Sequence, residues 1–335
     1  MKEMESRELQ WTGKRIEYNN AWPTKGVWHS DIQEELDKWL QKQGIDQLFE
    51  IVQLSDSARE TLYNQAKLNR LVSGIIDLYD ELPYRPDEGF DIAWRSLEIF
   101  MNHHHNNAWF KDENDKYPQT PQLITKTVQD LVMPLINRDT RVRDIWVGYL
   151  SNIPLSALKY IIMRCYIIHD LAINTQIDRV SKRAADILKK QLYEDIKKQY
   201  NLERDNKPDV QVLRNSSLLL QKILKGEKVE VNGHDHHLEL EDRLIFILSC
   251  LLYTNRCERF HGDYFSPFKS DLANLDTYAF SYYNLSFCYI YFWTLLWRHC
   301  ELNNIEELCS LESIINAAQT MQNRLRPLIV AGRKG

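Results

Sequence analysis

The 335-residue chain predicts an all-α protein, and three observations carry that prediction. Glycine and proline are scarce, at 11 and 10 residues, while Leu, Lys, Glu and Gln, which lose little rotamer freedom in a helix, are plentiful. Apolar residues recur at helical rather than strand spacing through most of the chain. One short stretch, Lys228 to Leu240, departs from that period. A hydrophobic content of 44% with 27% charged residues leaves material for a sizeable core.

The elements follow in order. Residues 1–30 place Trp11, Tyr18, Trp22 and Trp28 among Gly13, Pro23 and Gly26 with little periodicity, and are expected to form an irregular arm pinned by its rings. Ile32, Leu36, Trp39 and Leu40 mark a first helix, capped by Ser30 or Asp31 and stopped at Gly44. Ser55-Asp56-Ser57 opens the next, with a buried stripe of Leu62, Ala66, Leu68, Leu71, Val72, Ile75, Ile76 and Tyr79 that Pro83 ends. A short amphipathic helix is expected over 92–101, then a polar loop from His103 to Tyr117, then helices over 120–137 and 154–177. Where periodicity lapses, over 144–153, a domain boundary divides a helical N-terminal region of unassigned role, 1–150, from a helical domain, 151–335. Residues 178–201 read as one strongly charged helix, ended by Asn206-Lys207-Pro208-Asp209, and another helix is expected over 210–224.

At Lys228-Val229-Glu230-Val231 the period changes to two. Asn232-Gly233 and a return through Leu238-Glu239-Leu240 describe a β-hairpin with a type I′ turn. Two uncharged runs follow, Leu244 to Tyr253 and Tyr278 to Trp297. The second, 20 residues long, could span a bilayer. Its Ser281, Asn284, Ser286, Thr294 and five tyrosines make it instead a buried bundle helix, so no membrane partner is expected.

The net charge of −5 gives no global basic field, so a nucleic-acid partner would meet a local patch. Lys189-Lys190 and Lys197-Lys198 form the best such strip, and Arg138, Arg141 and Arg143 beside Asp139 and Asp144 read as a solvated face. Six cysteines without a CxxC pair, and an N-terminus of alternating charge without an apolar signal segment, point to a reduced, cytoplasmic protein. No Walker loop, GxGxxG, GxSxG or HExxH occurs, so nucleotide hydrolysis, dinucleotide redox chemistry, serine hydrolysis and zinc proteolysis have no support. His103-His104-His105 and His234-Asp235-His236-His237 read as solvated, because consecutive histidines point apart. No metal or other cofactor is expected.

Between the two apolar runs lies Asn255-Arg256-Cys257-Glu258-Arg259-Phe260-His261-Gly262-Asp263-Tyr264, a polar cluster where core would otherwise continue. Histidine titrates near neutral pH and suits proton transfer. A guanidinium can pair with two phosphate oxygens and stabilise charge growing on them. Together they suit attack of an RNA 2′-hydroxyl on its neighbouring phosphate, a reaction that needs no metal because the substrate brings the nucleophile. In one straight helix Arg256 and His261 would point about 140° apart, so the pair converges only if the helix ends or kinks near Gly262, or if a two-fold partner brings a second copy alongside.

Arg256-x4-His261-Gly262, following an apolar helix that ends in Tyr253, resembles the Arg-x4-6-His signature of the HEPN superfamily, the Apea-like or abortive-infection type included. The resemblance covers about 150–330. It implies a helical bundle, here with the hairpin inserted and a helical N-terminal region added, and a homodimeric, metal-independent endoribonuclease of a toxin–antitoxin or anti-phage system. It further implies Arg256 and His261 as catalytic residues, with Asn255, Glu258, Arg259, Gly262, Asp263 and Tyr264 supporting or contacting RNA, and an antitoxin or defence-system protein as partner. Cys257 and Glu258 stand where family members often carry asparagine. A glutamate there repels phosphate unless Arg259 neutralises it or it faces away. The alternative is a non-catalytic HEPN-like scaffold for dimerisation or for RNA or partner binding. A second Arg-x4-His spacing, Arg164 to His169, lies in an apolar helix without the glycine and reads as structural.

Overall fold

The computed structural model describes residues 31–106, 119–167, 174–202, 208–260, 266–269 and 273–332. The aromatic arm over 1–30, most of the polar stretch before Tyr117, His169, and His261, Gly262, Asp263 and Tyr264 lie outside the described residues. The regular elements of the described residues are helices and one two-stranded hairpin.

Helix α1 (Asp31–Gln43) buries Ile32, Leu36 and Leu40 and stops where Gly44 takes φ +66°, a conformation that costs glycine nothing. The stripe expected as one helix comes as α2 (Ala58–Asn64) and α3 (Ala66–Ile76), broken at Gln65, which leaves the helical region at φ −122° and ψ 74°. Ile76, expected inside, is exposed. Helix α4 (Pro86–Asn106) is longer than 92–101. Pro86 is preset for a first helical position, Asp87 and Glu88 face the positive end of the dipole, and Phe90, Ala93, Trp94, Leu97, Phe100 and Met101 supply a continuous buried face. His103 therefore belongs to the last turn of a helix rather than to a loop.

Helices α5 (Thr120–Thr127) and α6 (Met133–Arg138) are one rod joined by a π segment, Val128–Val132. The carboxylate of Asp139 accepts from the Arg141 amide at 2.9 Å and starts α7 (Thr140–Ser151), which runs through the stretch where periodicity lapses. Helix α8 (Leu155–Ile162) passes into a second π segment, Met163–Ile167. The single charged helix expected over 178–201 is two, α9 (Asn174–Ile187) and α10 (Lys190–Gln199), because Leu188 turns into the core and Lys189 takes φ +60°. Helix α11 (Val210–Lys225) is capped by Asp209 at one end and closed by Gly226, φ +82°, at the other.

Strands β1 (Val229–Val231) and β2 (His234–His236) pair antiparallel through Asn232 and Gly233, whose φ of +50° and +80° fit the expected type I′ turn. They lead into a third composite rod, α12 (Leu240–Phe246), a π segment at Ile247–Leu252, and α13 (Tyr253–Phe260). Helices α14 (Leu275–Leu302) and α15 (Leu311–Gly332) complete the described chain.

Helix α14 is the axis of the molecule and packs along α4 and α15. From Tyr278 to Trp297 nearly every residue is buried, which explains a helix apolar all round. Its tyrosines carry hydroxyls that burial would otherwise penalise, and each reaches a different neighbour. Tyr289 meets the Val52 amide and the Tyr79 hydroxyl, both at 2.9 Å, and Tyr291 meets Thr127 at 2.7 Å. Tyr282 donates to the Pro83 carbonyl at 2.7 Å, Tyr283 to Tyr149 at 3.3 Å and Tyr278 to Tyr84 at 3.4 Å. Among the described residues no helix is long and apolar enough to cross a membrane. One contiguous core draws on both sides of residue 150, as where Trp146 packs on Phe287 at 5.2 Å between ring centroids.

Candidate functional site

Helix α13 carries the cluster, and the turn before it sets its facing. In the π segment Ile247–Leu252 the backbone takes an extra residue per turn. The Thr254 hydroxyl donates to the Ser249 carbonyl, five residues back, at 3.3 Å. Arg183 from α9 reaches the same carbonyl at 3.4 Å and the Thr254 hydroxyl at 3.3 Å, with its guanidinium over the Tyr253 ring.

Arg256 and Arg259, three apart, share one face of α13, and Asp87, Asp91 and Glu98 recur along one stripe of α4. The two stripes meet antiparallel. Arg259 forks onto Asp91, with its Nε at 3.0 and 2.9 Å and one Nη at 2.6 Å from the carboxylate, and its other Nη lies 3.3 Å from Asp87. Arg85 closes the cluster on Asp87 at 3.2 Å and Glu88 at 2.6 Å. Two guanidiniums thus face three carboxylates. Burial raises the Asp91 carboxyl above its ordinary range, more than Arg259 lowers it, and the surplus carboxylates raise the pKa of Arg259 in spite of its burial.

Arg256 is held differently. One Nη donates to Glu98 at 2.6 Å, Glu98 also accepts from Thr120 at 3.1 Å, and the guanidinium lies 4.4 Å from the centroid of the Phe260 ring. Its buried Nε has no hydrogen-bond partner among the described residues.

Glu258 points the other way. Its Oε1 lies 2.6 Å from the Arg164 Nε and its Oε2 accepts from the Tyr160 hydroxyl at 2.9 Å. The glutamate that stands against the phosphate chemistry is therefore turned inward, and Arg164, not Arg259, neutralises it. The second Arg-x4-His segment thus meets the first through Arg164, which suits the structural role expected of that arginine. Burial pushes the Cys257 thiol up in spite of nearby Arg256 and Arg183, and the Tyr253 hydroxyl is pushed up to about 12. Neither is an anionic nucleophile at neutral pH.

Asn255 is buried and, with Arg259, lines a cavity of about 250 Å³ shared with Asp87, Tyr160, Ser281 and Asn284. The structure thus brings Asn255, Arg256, Glu258 and Arg259 onto one helix end but assigns them different neighbours, while His261, Gly262, Asp263 and Tyr264 lie outside the described residues. Sequence reasoning missed Asp87, Asp91 and Glu98. Their spacing along one helix face is the available signal; a helix expected only over 92–101 leaves Asp87 and Asp91 outside it, and Glu98 alone carries no pattern.

Elsewhere, Arg138 pairs with Glu301 at 2.6 Å, and Arg141 with Asp139 at 2.8 Å and Glu312 at 2.7 Å, the solvated face expected of that run. The six cysteines are free thiols. The histidines of the hairpin correct an expectation. Adjacent residues of a strand do point apart, but His234 and His236 are two apart and share a face. His234 Nδ1 and His236 Nε2 lie 3.0 and 2.9 Å from the same oxygen of Asp195, a wholly buried carboxylate on α10. Compared with known proteins, the chain matches no family model, no curated protein and no solved structure.

Proposed function

We propose that the chain is a metal-independent endoribonuclease of HEPN type that works as a cytoplasmic homodimer in a bacterial toxin–antitoxin or anti-phage system. The observation that carries this reading is the state of Arg256. Its guanidinium is aimed by Glu98 and Phe260, and its buried Nε lacks a hydrogen-bond partner among the described residues. The same buried Nε without a partner among the described residues occurs in Arg183, Arg243 and Arg298, so what singles out Arg256 is its place five residues before His261, with a side chain still 18% exposed for a phosphate oxygen to reach. Arg259, saturated by carboxylates, holds α13 on α4. Asn255 borders the site, and Glu258 faces away from it.

In the proposed reaction the RNA 2′-hydroxyl attacks the adjacent phosphorus, the bond to the 5′-oxygen breaks, and a 2′,3′-cyclic phosphate and a 5′-hydroxyl result. Arg256 stabilises the charge on the phosphoryl oxygens and His261 transfers the proton. Gly262, Asp263 and Tyr264 follow as supporting residues from the sequence alone. The two-fold partner supplies the second copy that the spacing of Arg256 and His261 calls for, and an antitoxin or defence-system protein restrains or triggers the activity.

The test is incubation of the purified chain with mixed RNA in chelator, beside Arg256→Ala and His261→Ala. Wild type should leave cyclic-phosphate ends, and both variants should lose the cleavage. Cleavage that survives in both overturns the assignment. The match of the Arg256 charge by Glu98 favours, as a second reading, a non-catalytic scaffold. A folded dimer that cleaves none of the RNA would establish it over the enzyme.

A further inference from the structure

The hairpin and helix α10 carry a constellation outside the site just described. Asp195 presents one carboxylate, fully buried, to two imidazoles. Its Oδ1 is taken by amide donors, Asn232 at 3.1 Å and Gln191 at 3.2 Å. Its Oδ2 faces His234 Nδ1 at 3.0 Å and His236 Nε2 at 2.9 Å, with Gln191 also at 3.1 Å, and the three ligand atoms lie within 4.8 Å of one another. The strand register explains the convergence. His234 and His236 pair with Val231 and Val229, so the buried valines fix that face of the hairpin against α10. Asn232 at the turn is further held by Gln199, which accepts from its amide at 2.9 Å.

We infer that Asp195, His234 and His236 form a binding site for a divalent transition-metal ion of the zinc class. Bonds of about 2.0–2.2 Å to zinc put neighbouring ligand atoms roughly 3–3.5 Å apart, which matches the carboxylate-to-imidazole distances. Two nitrogens and one oxygen favour zinc, cobalt or nickel over magnesium or calcium, which take oxygen ligands. Gln191 and Asn232 do what outer-shell groups do at such sites: Asn232 donates to Oδ1 and Gln191 straddles both oxygens, which fixes the carboxylate's orientation toward the imidazoles. His236 is mostly covered, whereas the His234 side chain is 55% exposed, which gives an ion its way in and leaves the remaining coordination positions to water. A bound ion would tie the hairpin to α10 just before the rod that carries Arg256. It takes no part in the proposed cleavage.

The test uses the full, untagged chain, stripped with chelator and titrated with Co²⁺ followed by Zn²⁺. Expected are one ion per chain by elemental analysis, visible d–d absorption with Co²⁺, and its displacement by Zn²⁺. Removing a ligand should weaken zinc binding by at least about 10–100-fold, on the scale of the loss seen when a supporting residue is removed. His234→Ala, on the exposed ligand, keeps the fold and should show that loss, as should His236→Ala. His237→Ala, a neighbour outside the set, should bind like wild type. Failure of folded wild type to bind either ion in stoichiometric amount overturns the proposal and leaves a hydrogen-bonded clamp, and so does binding that His234→Ala leaves unchanged. None of these readouts involves RNA, so they stand apart from the outcome of the cleavage assay.

Discussion

Glu258 is the residue on which the reading of the α13 helix turns, and its partnership with Arg164 can be weighed. The two side chains are 11% and 14% exposed and their charged atoms lie 2.6 Å apart. Charge centres about 4 Å apart attract by roughly 4 kcal/mol at an effective dielectric of 20 and by roughly 1 kcal/mol in water. Loss of hydration by both groups offsets much of the larger figure. A coupling of about 2 kcal/mol is expected, in the range of hydrogen bonds to charged groups.

Glu258→Gln keeps the shape and an acceptor for Tyr160 but removes the charge. It should cost about 2–3 kcal/mol, the range of a hydrogen bond between charged groups lost in a mostly covered position. An unfolding entropy near 2.1 cal/mol/K per residue over 335 residues turns that into a Tm lower by about 3–4 °C. The assay is a double-mutant cycle by urea and thermal unfolding with Glu258→Gln, Arg164→Met and the pair. It cancels whatever other contacts either side chain makes. A coupling under about 0.5 kcal/mol refutes the anchoring role. So would a Glu258→Gln protein of undiminished stability that cleaves RNA faster, the signature of a glutamate that opposes phosphate.

Two further outcomes follow from buried polar groups away from the hairpin. Thr127→Val should cost about 1–3 kcal/mol by denaturant unfolding, because it strands the buried Tyr291 hydroxyl. Adding Tyr291→Phe should recover part of the loss, and an additive double mutant would contradict this. The raised carboxyl of Asp91 binds its proton more tightly folded than unfolded, so its contribution to stability grows as pH falls from 7 toward 4 and is lost as pH rises through its folded value. Asp91→Asn cannot titrate, so the stability of Asp91→Asn minus that of wild type should fall, becoming more negative, on acidification. A difference that rises on acidification would refute a carboxyl raised by its burial against Arg259.

Features governed by neighbours in sequence were legible. Gly44 ends a helix and Asn232-Gly233 turns a hairpin because their backbone preferences act within a few residues. The polar ornaments of the Tyr278–Trp297 run marked it as a bundle helix for the same kind of reason. What escaped depends on contacts across the fold. Lys189 breaks a helix that its own residues would continue, because Leu188 is drawn into the core. Helix α4 starts at Pro86, ahead of Ile92, because Asp87 and Phe90 carry its buried face back into the first turn. At the candidate site Arg256 and Arg259 are visible as charges in the wrong place, but their partners Glu98 and Asp91 lie 158 and 168 positions away. Histidines 234 and 236 looked idle until α10 brought Asp195 to them.

The tyrosines of α14 bear on how uniquely the chain settles. A smooth apolar helix at the centre of a bundle could turn or slide by a residue and bury almost the same area. Hydroxyls at 278, 282, 283, 289 and 291 find their acceptors and donors at one rotation and one height only. They act as keys in a lock cylinder. Replacing all five by phenylalanine would leave the hydrophobic content almost untouched, yet should loosen the choice among near-equivalent packings. Its mark would be far-ultraviolet dichroism that persists while the near-ultraviolet signal of the fixed rings fades.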